Sequence, residues 1–273
     1  MSSTNSSSLV NDEQKSEQKS EQKKLRVNIG IPGNKFSGNF MTSMIQSIYE
    51  LWRSGSYDVS IIQGHNSFSP HSRMNTLGLD VLKGKDQKPF NNTEYDVFVT
   101  IDPDVVFSPE QLLLLIESTK KHPVVSGYYK LVNGKDFSVV KEMSKEYFKN
   151  NGTYEYIKES DLEPYVTRFQ EHIKNVQKLK EESKESEIKP YAPEYIQAAQ
   201  VKLGFFACTK QVLNDMKYPY FNCDVQRMRG KDGVELLDLC NDEVAFCKNV
   251  EEAGYDIMVN TLLRVGHENV IIM

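Results

Sequence analysis

The sequence predicts an α/β protein built on an open, Rossmann-type sheet, and three observations carry that expectation. Strand-like apolar runs alternate with helix-like repeats from Leu25 to Tyr129, the pattern of parallel strands joined by right-handed crossovers. The alternation resumes at Lys210 after a strongly charged stretch, residues 141–190, that reads as a helical insertion. Finally, an apolar run, Tyr95 to Ile101, ends in the pair Asp102 and Asp104. Open α/β sheets bind their ligands at that carboxyl edge.

Residues 1–24 are rich in Ser, Gln and Lys and hold too few apolar groups to offset the entropy of ordering, so they read as a disordered tail. Folding is expected over residues 25–273, beginning with a strand at Leu25–Ile31 and a Gly-, Asn- and Ser-rich loop, Pro32–Asn39. The helix that follows repeats apolar residues at Met41, Met44, Ile45, Ile48, Leu51 and Trp52, the spacing of one buried face. A strand at Tyr57–Ile62 leads into a long loop carrying His65, His71, Arg73 and Asn75, and then into the strand that ends at Asp102.

Ser108-Pro109-Glu110-Gln111 supplies an N-cap, a proline at the first helical position and a capping-box glutamine ahead of the apolar helix Gln111–Lys121. Pro123–Tyr129 reads as the next strand. Within the charged insertion, Ser160-Asp161-Leu162-Glu163 resembles a capping box opening an amphipathic helix with apolar positions Leu162, Val166, Phe169, Ile173, Val176 and Leu179. That helix has three available roles: packing on the sheet, covering a site, or pairing with a second subunit through residues 160–180. A helix at Lys210–Met216, another at Val244–Ala253 opened by Asn241-Asp242-Glu243 and closed by Gly254, a strand at Tyr255–Asn260 and a terminal Val265-Gly266-His267 complete the chain.

Length and composition narrow the function classes. At 273 residues, 39% hydrophobic and 26% charged, the chain can bury a full-sized core. A net charge of −5 with no long basic stripe argues against nucleic acid as a partner. No apolar stretch is long enough to span a bilayer, and the amino terminus lacks the apolar centre of a secretory signal, so a soluble, cytoplasmic protein is expected. Cys208, Cys223, Cys240 and Cys247 fit neither a zinc knuckle nor a compact disulfide framework and read as reduced thiols.

If the run into Asp102 is a buried strand, alternation sends Asp102 and Asp104 to the same side where the sheet stops. Two hard oxygen ligands there suit Mg²⁺ or Mn²⁺ bound to a phosphorylated substrate. Three separated segments then carry a family resemblance: Ile101-Asp102-Pro103-Asp104 with Phe107-Ser108-Pro109-Glu110 after it, Asn241-Asp242-Glu243-Val244-Ala245-Phe246-Cys247, and Val265-Gly266-His267. Together they resemble nucleotide-sugar-dependent glycosyltransferases of the GT-A fold, inverting type, over nearly all of the chain from residue 25.

The resemblance implies a single Rossmann-like GT-A domain with a mixed, mostly parallel central sheet. It implies that Asp102 and Asp104 hold a divalent cation, Mn²⁺ or Mg²⁺, against the donor diphosphate, with His267 as a further ligand. It places Asp242 and Glu243 where the base that deprotonates the acceptor hydroxyl stands. Matching by the following Val-Ala-Phe-Cys favours Glu243, and matching by residue type favours Asp242. Ser72-Arg73-Met74-Asn75 resembles the Arg-Asn element of the nucleotide pocket, Pro32 occupies the site of contact with the base, and Gly33 permits close backbone approach. Leu203-Gly204-Phe205-Phe206 corresponds to the acceptor segment, and Tyr218, Tyr220 and Phe221 are candidates to stack on a sugar ring. The implied partners are a UDP-, GDP- or dTDP-sugar donor and a glycan or other hydroxyl acceptor.

Two other readings share these residues. The strand ending in Asp102-Pro103-Asp104-Val105-Val106 also resembles the first motif of haloacid dehalogenase-type phosphatases, with Asp102 as nucleophile and Asp104 as general acid. A nucleotide-sugar- or glycan-binding protein without turnover is the third.

Overall fold

The computed structural model describes residues 23–230 and 233–268. Its first half runs β1 (Leu25–Pro32), α1 (Gly38–Ser54), β2 (Tyr57–Gly64), α2 (Ser69–Thr76), β3 (Val97–Ile101), a two-residue β4 (Val105–Val106), α3 (Pro109–Ser118) and β5 (Val124–Tyr128). Local chemistry sets the boundaries. Ser37 Oγ accepts from the Phe40 N–H to open α1, and Gly55, at φ 68°, closes it in the left-handed conformation that glycine adopts most readily. The expected capping box opens α3: Ser108 Oγ accepts from the Gln111 N–H, and the Gln111 side chain accepts from the Ser108 N–H. Of the expected tail, residues 1–22 lie outside the described residues.

The second half continues with β6 (Asp136–Val140), α4 (Lys145–Asn151), β7 (Tyr156–Lys158), α5 (Glu159–Glu181), β8 (Tyr195–Ala198), β9 (Gln200–Val201), β10 (Phe205–Thr209) and α6 (Lys210–Asp215). It ends with the hairpin β11 (Val225–Arg229) and β12 (Glu235–Leu239), then α7 (Asp242–Glu252), β13 (Ile257–Arg264) and β14 (Gly266–His267).

Seven strands form the central sheet in the order β2-β1-β3-β10-β5-β13-β8. The pairs β1/β2, β1/β3 and β5/β13 are parallel, whereas β10 and β8 run against their neighbours, so five strands point one way and two the other. The sheet is mixed and mostly parallel in strand direction, as expected. Alternation along each strand feeds two cores. Val27, Ile29, Val97, Val99 and Ile101 face α1 and α3, while Phe98, Phe206 and Cys208 join the cluster that includes Phe246 of α7 on the opposite face. The three central strands are buried on both faces, which is why β3 reads as an unbroken apolar run, Val-Phe-Val-Thr-Ile.

Three expectations change. In α1 the buried side chains are Phe40, Ser43, Met44, Ser47 and Leu51, while Met41, Ile45 and Trp52 face solvent. Both arcs satisfy helical spacing, and contact with the sheet and α3 selects the one holding two serines. The loop expected to carry Arg73 and Asn75 contains α2, opened by Pro70 in its first turn. Its polar composition hides the helix. In the charged insertion, α5 starts at Glu159, where the Asp161 carboxylate accepts from the Lys158 N–H, and Leu162 is its only buried residue. The rest of the helix lies against the 185–194 segment through Phe169, His172 and Tyr191, leaving Val166 and Ile173 exposed.

Candidate active site

Three segments distant in sequence converge where β1, β2 and β3 end, and Arg73 joins them. At Gly64 the carboxyl end of β2 meets α2 so closely that an added Cβ would stand 2.5 Å from the Ser72 carbonyl oxygen, and Ser72 Oγ donates to the Gly64 carbonyl at 2.9 Å. This contact seats α2 over the edge of the sheet and buries Arg73. Its guanidinium forks onto Asp102, with Nη1 to Oδ1 at 3.1 Å and Nη2 to Oδ2 at 3.3 Å. It also donates from Nε to Asp242 Oδ2 at 3.0 Å and stands 3.7 Å from Glu243 Oε1. Burial works against the Arg73 charge, but Asp102, Glu243 and Asp242 together hold it above its ordinary range.

Asp102 and Asp104 do not sit on a continuing strand. β3 stops at Ile101, and Asp102-Pro103-Asp104 forms a turn closed by the Val105 N–H on the Asp102 carbonyl and anchored by the Asp102 N–H on the Gly204 carbonyl at 3.0 Å. The strand geometry that sends both carboxylates one way therefore ends one residue too early. Asp102 turns onto Arg73. Asp104 turns toward His267, because β14 pairs antiparallel with β4 in a register that sets His267 opposite Val105. His267 Nε2 lies 3.4 Å from Asp104 Oδ2, and the Glu268 N–H donates to the Asp104 carbonyl at 2.9 Å. Hydrogen bonding to Asp104 raises the His267 pKa against the opposing effect of burial. The ring stacks on Tyr129 with centroids 4.6 Å apart.

The first turn of α7 supplies the other acids. Asn241 caps it through Oδ1, which accepts from the Val244 N–H at 2.9 Å. Asp242 accepts from Ser69 Oγ at 2.6 Å as well as from Arg73. Glu243 is buried and meets Lys202 Nζ at 2.5 Å. Burial raises the Glu243 carboxyl, with Lys202 and Arg73 acting against it, and Glu243 in turn keeps the half-buried Lys202 ammonium protonated.

The sequence did not single out Lys202, Tyr129 or Ser69. Lys202 had one available signal, a lone cation in the apolar context Gln200-Val201-Lys202-Leu203. Among the other expected residues, Pro32 ends β1, Gly33 follows at φ 138° with its N–H on the Gly64 carbonyl, and the exposed Asn75 donates from Nδ2 to the His65 carbonyl at 3.3 Å. These line the same edge as Arg73. Tyr220 and Phe221 are buried in the core and offer no platform for a sugar.

Four carboxylates, Asp102, Asp104, Asp242 and Glu243, face two permanent cations, Arg73 and Lys202, a difference of two negative charges. A divalent cation has the charge that this cluster lacks. The three-ligand set expected from the sequence is not formed: among the described residues no group of three or more His, Cys, Asp and Glu is arranged to hold an ion. Asp104 and His267 stand together, whereas both oxygens of Asp102 are engaged by Arg73. The Asp104 carboxylate is a hard oxygen donor that fits Mn²⁺ or Mg²⁺ if a substrate supplies further oxygens, and the His267 imidazole nitrogen suits a transition metal such as Mn²⁺ better than Mg²⁺.

No family profile matches the chain, and no curated protein matches it. Solved structures show distant likenesses. The protein A197 from STIV is 13% identical with a TM-score of 0.42, over 91% of this chain and 96% of that one. GalNAc-T7, in complex with UDP, GalNAc and Mn²⁺, is 8% identical with a TM-score of 0.48, over 90% of this chain and 43% of that one. Glucosyl-3-phosphoglycerate synthase from Mycobacterium tuberculosis, in complex with Mn²⁺, UDP and glucosyl-3-phosphoglycerate, is 11% identical with a TM-score of 0.37, over 91% of this chain and 73% of that one.

Proposed function

We propose that the chain is a metal-dependent glycosyltransferase that moves a sugar from a nucleotide-sugar donor to a hydroxyl acceptor with inversion. Residues 25–273 act as one catalytic domain in this reading, with 1–24 as a tail and 141–190 as an insertion beside the acceptor. The observation that supports it most is the Arg73 junction, in which a buried guanidinium joins the Asp102–Asp104 turn to the Asp242/Glu243 pair. One side of that junction suits a diphosphate and the other an attacking hydroxyl.

The edge formed by Pro32, Gly33, Arg73 and Asn75 takes the nucleoside of a UDP-, GDP- or dTDP-sugar. Asp104 and His267 would hold Mn²⁺ or Mg²⁺, which when bound offsets charge on the departing diphosphate. Glu243 takes the proton of the acceptor hydroxyl as its oxygen bonds to the anomeric carbon and the bond from that carbon to the diphosphate oxygen breaks. Burial favours Glu243 over Asp242 for this task, because a raised carboxyl pKa makes a better base once deprotonated. Asp242, held by Ser69 and Arg73, positions the guanidinium. Lys202 opposes the effect of burial on the Glu243 carboxyl. The phosphatase reading gains nothing here, since an Asp102 clamped by two Arg73 hydrogen bonds is a poor nucleophile.

Thermal denaturation with UDP, GDP and dTDP sugars, with and without Mn²⁺, tests the assignment. One donor class is expected to stabilise wild type only with metal, and Asp104→Ala to lose that increment. Equal stabilisation in Asp104→Ala contradicts the reading.

A further inference from the structure

The outward arc of α1 carries four large apolar side chains that the fold leaves exposed. Met41, Ile45, Tyr49 and Trp52 follow one another at spacings of four, four and three along the helix and are 43%, 64%, 56% and 76% exposed. They occupy one stripe of a 17-residue helix about 25 Å long. Ile61 of β2, 50% exposed, extends it: Tyr57 and Val59 pack on the α1 side of the sheet, and alternation puts Ile61 on that side too. Packing does not force this arrangement, because the inward arc contains Ser43 and Ser47. Ser43 has a reason to face inward, accepting from the Phe107 N–H at 3.1 Å. Four large apolar side chains are left outside, and contiguous exposed apolar patches larger than a few hundred Å² mark interaction surfaces.

Charge identifies the partner. At the carboxyl end of the stripe, beside Ser54, Gly55 and Ser56, opens a cleft of about 630 Å³ lined by Lys23, Lys24 and Lys120 together with Asp96 and Glu117. Both acids are engaged, Asp96 by Arg26 and Glu117 by Tyr57 and Lys120. Lys23 and Lys24 are exposed. At the amino end stands another exposed lysine, Lys35. Pairing α1 with α1 of a second copy in the antiparallel sense would bring Lys35 of each against Lys23 and Lys24 of the other, like charge on like. An aromatic and aliphatic stripe flanked by lysines that lie outside the helix instead suits the interface of an anionic bilayer.

We infer that the chain docks on anionic membrane surfaces through α1, with Trp52, Tyr49, Ile45 and Met41 in the headgroup boundary and Lys23, Lys24 and Lys35 against lipid phosphates. No described helix is long and apolar enough to cross a membrane, so the contact is peripheral. It stands whether or not the transferase assignment does. Ser37 and Asn39, at the amino end of α1, touch the Pro103 carbonyl and Glu268, so the docked helix leaves the Asp102–Asp104 turn at the edge of the bilayer.

Trp52 is the only tryptophan in the chain and reports on the face directly. The full chain is mixed with vesicles of phosphatidylcholine and phosphatidylglycerol, or of phosphatidylcholine alone, and both Trp52 emission and sedimentation are read. The expected result is an emission shift to shorter wavelength and cosedimentation with the anionic vesicles, weakened by salt. Ile45→Asp is expected to abolish both while leaving the circular dichroism spectrum unchanged. Lys23→Gln and Lys24→Gln are each expected to reduce partitioning about fivefold. Unchanged emission with all protein in the supernatant overturns the inference. So does an emission shift that grows with protein concentration without vesicles, since that assigns the face to a second copy of the chain.

Discussion

Arg73 and Asp102 share two hydrogen bonds, at 3.1 and 3.3 Å, and this fork fixes the turn after β3 against the helix α2. The same guanidinium reaches Asp242 and Glu243, so one side chain sets the spacing between two acidic segments far apart in sequence.

Replacing Arg73 therefore carries a large cost. Arg73→Met leaves the buried Glu243 and the partly buried Asp102 and Asp242 without their shared cation, and loss of a partner from a fully buried pair costs about 3–5 kcal/mol, an upper bound here. A fall of several degrees in Tm is expected. Arg73→Lys keeps the charge but loses the fork, so it should recover stability more than activity. A Tm of Arg73→Met equal to wild type contradicts the junction.

Glu243→Gln is expected to lower kcat about 10²- to 10⁴-fold, the range for removal of a general base, with donor binding retained. Isothermal titration with donor, run beside a transfer assay, separates the two effects. Equal losses in Asp242→Asn and Glu243→Gln would assign the base to the pair jointly.

Lys202 sets a pH dependence. Burial raises the Glu243 carboxyl, and Lys202, 2.5 Å away, is the first of the groups that lower it. Lys202→Met removes that influence, so the carboxyl rises further. A base works only when deprotonated, and the acidic limb of kcat/KM against pH should therefore move to higher pH. An acidic limb left in place in Lys202→Met contradicts this coupling.

Gly204 supports the metal side through packing. A Cβ there would stand 2.5 Å from Tyr129 Oη and 2.9 Å from the ring, and Tyr129 is the surface on which His267 stacks. Gly204→Ala is expected to cost about 1–3 kcal/mol, the range for overpacking, and to weaken the Mn²⁺-dependent rise in Tm. A normal metal response would show that His267 keeps its place without Tyr129.

Much of the architecture was legible because buried strands and capped helices leave strong local patterns. β3, buried on both faces, is a continuous apolar run, and the Ser108/Gln111 box marks the start of α3. What resisted reading was decided by tertiary contact. In α1 two arcs compete at the same period, and only contact with the sheet and α3 chooses between them. α2 is short and polar, and its place follows from the close approach at Gly64. The Asp102/Asp104 pair was legible as chemistry but not as geometry, because β3 ends before the pair and the turn sends one carboxylate to Arg73 and the other to His267. Lys202 and Tyr129 escaped because each acts through a neighbour that only the fold supplies.

The central claim is tested most directly by release of nucleoside diphosphate from a panel of UDP-, GDP- and dTDP-sugars, with Mn²⁺ or with chelator, in wild type and Glu243→Gln. The account predicts release from one donor class in wild type, dependent on Mn²⁺ and accelerated by a hydroxyl acceptor, with the acceptor-dependent part lost in Glu243→Gln. Failure of every donor to be cleaved, or cleavage unaffected by chelator and by Glu243→Gln, contradicts it.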